Sequence, residues 1–195
     1  MEVARNDPSR ALKPCDVVTR RLLLRPLRGD DAPGMYAIYS DPDTMRYWST
    51  RPVHSLEGAA RMVSEDLQLQ LGGTAAFWSI TLPKTGRVIG KFALFAINRE
   101  HGRAELGYVL NRQFWGKGYG SESLAAMLET AFQRFGLHRL EADTDPENHA
   151  SIALLRKFGF RQEGRFRERW RQGDEWRDSM MFSLLASDWR LARAR

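Results

Sequence analysis

The stretch "ELGYVLNRQFWGKGYGSES", Glu105 to Ser123, decides how this chain is read. It opens on a strand-like run, passes three alternate glycines (Gly116, Gly118 and Gly120), and enters an amphipathic segment. Leu124, Met127, Leu128, Ala131, Phe132 and Phe135 follow at helical spacing, so the helix buries one face and ends at Gly136. Two nucleotide loops are excluded by spacing. A P-loop needs glycine five residues before the Gly-Lys pair and Ser or Thr after it, where this chain has Asn111 and Gly118. A dinucleotide fingerprint counted from Gly116 needs glycine where Ser121 stands. What survives is a glycine turn at a helix N-terminus, where unpaired backbone N–H groups and the helix dipole favour an anion. Taken alone, the glycines are equally compatible with a tight turn that binds nothing.

Outward from this stretch, composition bounds the answer. At 195 residues and 43% hydrophobic the chain can bury one full core. We read residues 1–16 as a flexible N-terminal segment, 17–189 as a single domain and 190–195 as a basic tail. One cysteine, Cys15, excludes an internal disulfide framework, and the four scattered histidines give no metal-site spacing. A reducing cytoplasm is expected. The first residues lack the apolar core of a signal peptide, and no run of about 18 apolar residues predicts a membrane span. The formal charge of +6 invites a nucleic-acid reading. Yet of the ten charges between Arg161 and Arg177, six are arginine and four are acidic, which makes a mixed surface rather than a phosphate track.

The remaining elements follow from periodicity. Val17 to Leu27 reads as a strand, and a short helical stretch runs to Ser40. Asp41 to Pro52 reads as loop, and Ser55 to Leu71 as a helix ended by a Gly-Gly pair. Ala75–Pro83, Arg87–Asn98 and Arg103–Leu110 alternate as a three-stranded meander. His138–Asp145 is a strand reached through the glycine-turn helix, so it should lie parallel to the strand before it. In "NHASIALLRKFGF", Asn148 is an N-cap and Gly159 a stop. A hairpin closes the chain, with Arg165, Arg167, Arg169 and Arg171 expected on one strand face. The predicted order is βααβββαβαββ, an α+β fold with a mixed sheet.

Taken in order, "AELGYVL", "FWGKGYGSES" and "NHASIALLRKFGF" resemble the acetyl-CoA-dependent N-acetyltransferases of the GNAT superfamily. The branch containing the ribosomal-protein alanine N-acetyltransferases is the most similar. The resemblance runs from "RRLLLRPL" to "WRDSMMFSLLASDW" and implies a mostly antiparallel central sheet with helices on both faces. It implies acetyl-CoA as donor, its pyrophosphate held by Trp115, Gly116, Lys117, Gly118, Tyr119, Gly120 and Ser121. Trp115 stands where the family usually has a basic or amide residue, which leaves backbone N–H groups as the main ligands. The strand backbone at Tyr108, Val109 and Leu110 would pair with the pantetheine arm, and Asn148 would bind a pantetheine amide or a water, or serve only as a cap.

The same resemblance implies roles in catalysis. Glu105 would accept the amine proton, its pKa raised by burial among apolar neighbours; otherwise it is a strand glutamate paired with Arg103. A backbone N–H of the splayed strand, Val109 as a first choice, would polarise the thioester carbonyl. Seven residues after Asn148 many relatives carry a tyrosine acid; here Leu155 stands there. Ser151, three residues after Asn148, is the alternative proton source for the thiolate. Tyr47 and Trp48 are candidates for the acceptor wall. The expected acceptor is a primary amine, foremost a protein N-terminus, with a small-molecule amine as the alternative. No metal is expected, the protein being a monomer or homodimer. A non-catalytic acyl-CoA sensor is a different class of reading, and an RNA-binding module the remotest.

Overall fold

The alternating residues of the central meander send side chains to two separate cores, and that division organises the molecule. A computed structural model of the chain describes residues 12–193. Strands β1 (Val17–Val18) and β2 (Leu23–Pro26) are followed by helices α1 (Ala32–Tyr39), α2 (Pro42–Met45) and α3 (Leu56–Leu71). The meander is β3 (Ala76–Thr81), β4 (Val88–Asn98) and β5 (Arg103–Leu110). Helix α4 (Tyr119–Glu129) runs on as a π-helical turn over Thr130–Arg134. Then come β6 (Arg139–Thr144), α5 (His149–Lys157), β7 (Arg161–Gln172), β8 (Glu175–Leu185) and α6 (Ala186–Arg193).

The eight strands form one sheet in the order β1-β2-β3-β4-β5-β6-β8-β7. In β3, Ala76, Trp78 and Ile80 face a core closed by Leu124, Met127 and Leu128 of α4, Ile152 and Leu155 of α5, and Trp189 of α6. Phe77 faces the other way, into a core with Met35, Ile38 and Tyr39 of α1 and Ala59 and Val63 of α3. Burying both faces requires the near-continuous apolar character that β3 has. Each buried Leu, Ile or Phe contributes about 1.5–3 kcal/mol of transfer free energy.

One pairing is parallel, and it is short. β5 meets β6 only at Arg103↔Arg139, Ala104↔Leu140 and Glu105↔Glu141. Beyond Glu105, β5 continues alongside β4 to Leu110, while β6 continues alongside β8. The sheet therefore splits into a V whose apex is Glu105. The crossover through α4 that makes this pairing parallel follows from the handedness and length rules for such units.

Several sequence expectations need correction. The first strand is broken at Thr19–Leu22, where Thr19 N–H bonds Leu22 O. The stretch expected to be loop contains α2, because Pro42 sits at a first helical position and the Asp41 carboxylate caps Asp43 N–H. Part of the segment read as flexible is packed: Leu12 is 2% exposed, and Cys15 O accepts from the Trp78 indole at 3.0 Å. At the other end, α6 carries the chain as far as Arg193, whose guanidinium lies over Trp189 and pairs with Glu129. Residues 1–11 and 194–195, which hold the rest of both terminal segments, lie outside the described residues.

Candidate active site

The glycine turn has the open, donor-rich geometry expected of an anion cradle and is latched from behind. Gly116 and Gly118 have φ of 70° and 79°, a left-handed region that side chains disfavour, and Gly118 is the N-cap of α4. The helical ladder begins with Glu122 N–H to Gly118 O at 3.0 Å. The N–H groups of the first turn, Tyr119 to Ser121, thus remain outside the ladder at the positive end of the dipole. An added Cβ at Gly116 would meet nothing within 4 Å, so the turn is open on that side. Trp115 does not occupy the cradle: its indole N–H donates to Leu110 O at 2.8 Å, tying the turn to the end of β5. Lys117 Nζ bonds Gln113 O at 2.8 Å, which holds its charge near the mouth.

Arg21, which the sequence did not single out, completes this construction. Its Nη1 donates to Lys117 O at 2.9 Å, its Nε pairs with Glu122 at 2.6 Å, and its guanidinium lies 4.4 Å from the Tyr119 ring centroid. Glu122 also accepts from Thr19 Oγ1 and Arg21 N–H, and these donors hold its carboxyl below the ordinary range against the opposing effect of burial. The signal was present in "TRRLLLRP", but only the fold brings residue 21 beside residue 122.

Along β5, backbone direction decides which groups are available in the split. Asn111 N–H donates to Ile89 O at 2.8 Å. Because antiparallel strands alternate, residues 107 and 109 also aim their backbone groups at β4, while 108 and 110 aim theirs into the V. The Trp115 bond to Leu110 O lies on that outer side, as the alternation requires. The free donors at the split are therefore the N–H groups of Tyr108 and Leu110. The Val109 N–H, expected as carbonyl donor, turns instead toward Lys91, its partner in β4.

At the apex, Glu105 is half-buried beside its cross-strand neighbour Phe95. Arg103 pairs with Glu141 at 3.1 Å, so it is not the partner of Glu105. Among the described residues Glu105 makes no side-chain hydrogen bond or ion pair. Burial foremost, then the nearby Asp143 and Glu141 charges, push its pKa up to about 7, with Arg169 opposing. On the other face of the sheet Tyr108 reaches α5, where its hydroxyl lies 2.9 Å from Ser151 Oγ. The Asn148 side chain accepts from Ser151 N–H at 3.1 Å, so its oxygen is spent on the cap while its amide hydrogens are not.

The residues expected at the acceptor wall lie between α1–α3 and the last hairpin. Trp48 packs toward Tyr39, ring centroids 6.2 Å apart, and its carbonyl accepts from Gln172 Nε2 at 2.7 Å. Tyr47 is half-buried beneath the Arg46 guanidinium, 5.4 Å away. The expected single face of arginines is broken. Arg165 and Arg171, opposite Met180 and Trp176, keep one face and pair with Asp178 and Asp174, but the register shift between Phe166 and Trp170 takes Arg167 and Arg169 out of the ladder. Among the described residues no group of His, Cys, Asp and Glu is arranged to hold a metal, and no helix is long and apolar enough to cross a membrane.

A split sheet with an anion cradle at one strand end and an isolated carboxyl at the apex defines an acyl-CoA-dependent N-acyltransferase. The glycine cradle suits a pyrophosphate, and the free N–H groups of β5 suit an extended amide arm. Residues 21–161 match the family described as Acetyltransferase (GNAT) domain, and the chain belongs to it. It is an N-acetyltransferase that uses acetyl-CoA as cosubstrate. An uncharacterized N-acetyltransferase p20 of Bacillus licheniformis is 36% identical over 88% of this chain and 96% of that protein. A GNAT-family acetyltransferase from Bacillus anthracis has the same fold, with a TM-score of 0.77 and 28% identity over 88% of this chain and 99% of that one. More distant Escherichia coli relatives are a spermidine N(1)-acetyltransferase, 26% identical over 72% of this chain and 73% of that protein, and a ribosomal protein uS5-alanine N-acetyltransferase, 29% identical over 60% and 61%.

Proposed function

We propose that the protein acetylates the α-amine of a protein or peptide N-terminus in the cytoplasm, by direct attack in a ternary complex. The observation that carries the catalytic part is Glu105: an apex carboxyl on the split strand, half-buried, unpartnered, with a pKa near 7. A base with that pKa is half-ionised at neutral pH and matched to removing a proton from an ammonium. The donor supplies a thioester carbonyl, and two tasks fall to this chain besides the base. Backbone N–H groups of Tyr108 and Leu110 are placed to hold the arm and stabilise negative charge on the carbonyl oxygen. Ser151, held against the Tyr108 hydroxyl, donates a hydrogen bond to the departing sulfur, and the thiolate takes its proton from solvent.

Support for a peptide acceptor comes from the likeness to the uS5-alanine enzyme and from an acceptor side walled by Tyr47, Trp48 and the hairpin. The likeness to the spermidine enzyme favours a small amine as the second reading. Peptides beginning with Ala or Ser, offered with radiolabelled acetyl-CoA beside a panel of small amines, separate the two. For wild type, kcat/KM is expected to rise through pH 7. Glu105→Gln should remove that limb and lower kcat/KM by about 10²–10⁴-fold with acetyl-CoA affinity unchanged. Undiminished activity across pH in the variant would remove Glu105 from the mechanism. Binding of acetyl-CoA with no amine acetylated would leave a sensor in place of an enzyme.

A further inference from the structure

A bulge in the last hairpin sets Arg169 near the carboxylates of β5 and β6, while Arg177 on the same face is held by Glu147 and Glu175. Phe166 pairs with Ser179 and Trp170 with Arg177, so Arg167, Glu168 and Arg169 all stand opposite the single residue Asp178. The bulge is built rather than loose. Asp178 accepts from Glu168 N–H at 2.8 Å and from Arg165 Nε at 2.7 Å, and Glu168 is held at a φ of 50°. A non-glycine residue in that region stores strain, and such strain persists where surrounding contacts over-determine it.

Pairing fixes the face of Phe166, and the contact of Arg169 with that ring places the guanidinium on the same side. Glu105 pairs with Glu141, which shares its face of β6 with Asp143; Asp143 pairs with Met181, which shares its face of β8 with Ser179. Ser179 in turn pairs with Phe166. The Arg169 guanidinium lies 5.4 Å from the Phe166 ring centroid, on the carboxylate face of the sheet. It is exposed and makes no hydrogen bond or ion pair with any described residue, yet it is near enough to Glu105 and Asp143 to favour their ionised forms. Glu141 is already held by Arg103 and Arg139, at 3.1 and 2.8 Å.

We infer that Arg169 forms an anion subsite next to the acceptor amine, and that the preferred acceptor is a primary amine with a carboxylate close by. This rests on the amine-acceptor reading above and deepens it. Two sources carry that chemistry: an acidic side chain at the second position of a peptide, or the α-carboxylate of a free amino acid. A linear polyamine carries neither, and its further cations would meet the guanidinium.

The test is steady-state kinetics with two matched pairs, Ala-Asp against Ala-Asn peptides and alanine against alaninamide. It is run on wild type, Arg169→Gln and Arg169→Lys, with melting temperatures to show that each is folded. Wild type should favour the acidic member of one pair by about tenfold or more in kcat/KM, the discrimination expected of one charge-assisted contact. Arg169→Gln should bring that ratio to within about twofold, and Arg169→Lys should restore part of the ratio. The pair that shows the effect identifies the source. Turnover without discrimination in wild type, or equal loss for both members in Arg169→Gln, overturns the subsite alone. Turnover of none of the four compounds, when acetyl-CoA binds and a polyamine is acetylated, overturns the subsite together with the peptide reading.

Discussion

Removing the Glu105 charge should stabilise the fold, and more so as pH rises. The carboxyl moves from an ordinary value of 4.5 to about 7 on folding. Between those values the folded state holds a proton that the unfolded state has released, so stability falls as pH rises through the window. Each unit corresponds to about 1.4 kcal/mol, which makes the full penalty roughly 3 kcal/mol above pH 7, and about 2–3 kcal/mol of it develops between pH 5 and 8. Glu105→Gln is nearly isosteric and has no such proton linkage. Unfolding of the ligand-free protein by urea should show the variant gaining about 2–3 kcal/mol on wild type at pH 8 relative to pH 5. For a chain of this size that is a melting-temperature difference of roughly 5–10 °C. A stability difference that stays constant between pH 5 and 8 would show that Glu105 is not desolvated as described, and its role as a base poised near neutrality would go with it.

Two further perturbations probe the cradle and the hydroxyl pair. Gly118→Ala forces an alanine into a φ of 79° and sets its Cβ 3.2 Å from Arg21 Nη2. It should cost about 1–2 kcal/mol of stability and weaken CoA binding measured by calorimetry, and unchanged affinity would mean the turn is not the anion site. Tyr108→Phe keeps the ring stacked on Phe92 and removes only the hydroxyl bonded to Ser151. It should lower kcat without moving the acetyl-CoA Kd, and a double variant with Ser151→Ala should be no slower than Ser151→Ala alone; additive losses would show the two act separately.

Local chemistry made most elements legible in the sequence. Helix α4 announced itself through its spacing and glycine start, α5 through Asn148 and Gly159, and the meander through alternation and turns. What escaped was set by pairing between distant segments. Nothing in "RFRERWR" marks a bulge, because the bulge depends on Asp178 accepting from Glu168 N–H across the strand pair. Likewise the choice between Val109 and its neighbours as backbone donors turns on one register, fixed by Asn111 N–H reaching Ile89 O. Arg21 is invisible for the same reason: its partner lies 101 residues away.

Leu155 at the position where many relatives keep a tyrosine raises the question of what faces the thiolate, and the fold brings another hydroxyl pair to α5. A tyrosine hydroxyl is present, but it comes from β5, as Tyr108, and lies against Ser151. Burial pushes the Tyr108 pKa up to about 12, with the Ser151 hydrogen bond opposing. A group so reluctant to ionise is a poor proton donor to a thiolate whose conjugate acid has an ordinary pKa near 8.5. It is, however, a reliable hydrogen-bond donor at every working pH. Whenever Tyr108 is the donor to Ser151 Oγ, the serine hydrogen is free to point elsewhere, and the Asn148 cap holds the first turn of α5 in place. On the proposed mechanism Tyr108 aims Ser151 and does not replace the missing acid, so loss of its hydroxyl should tell on turnover rather than on donor binding.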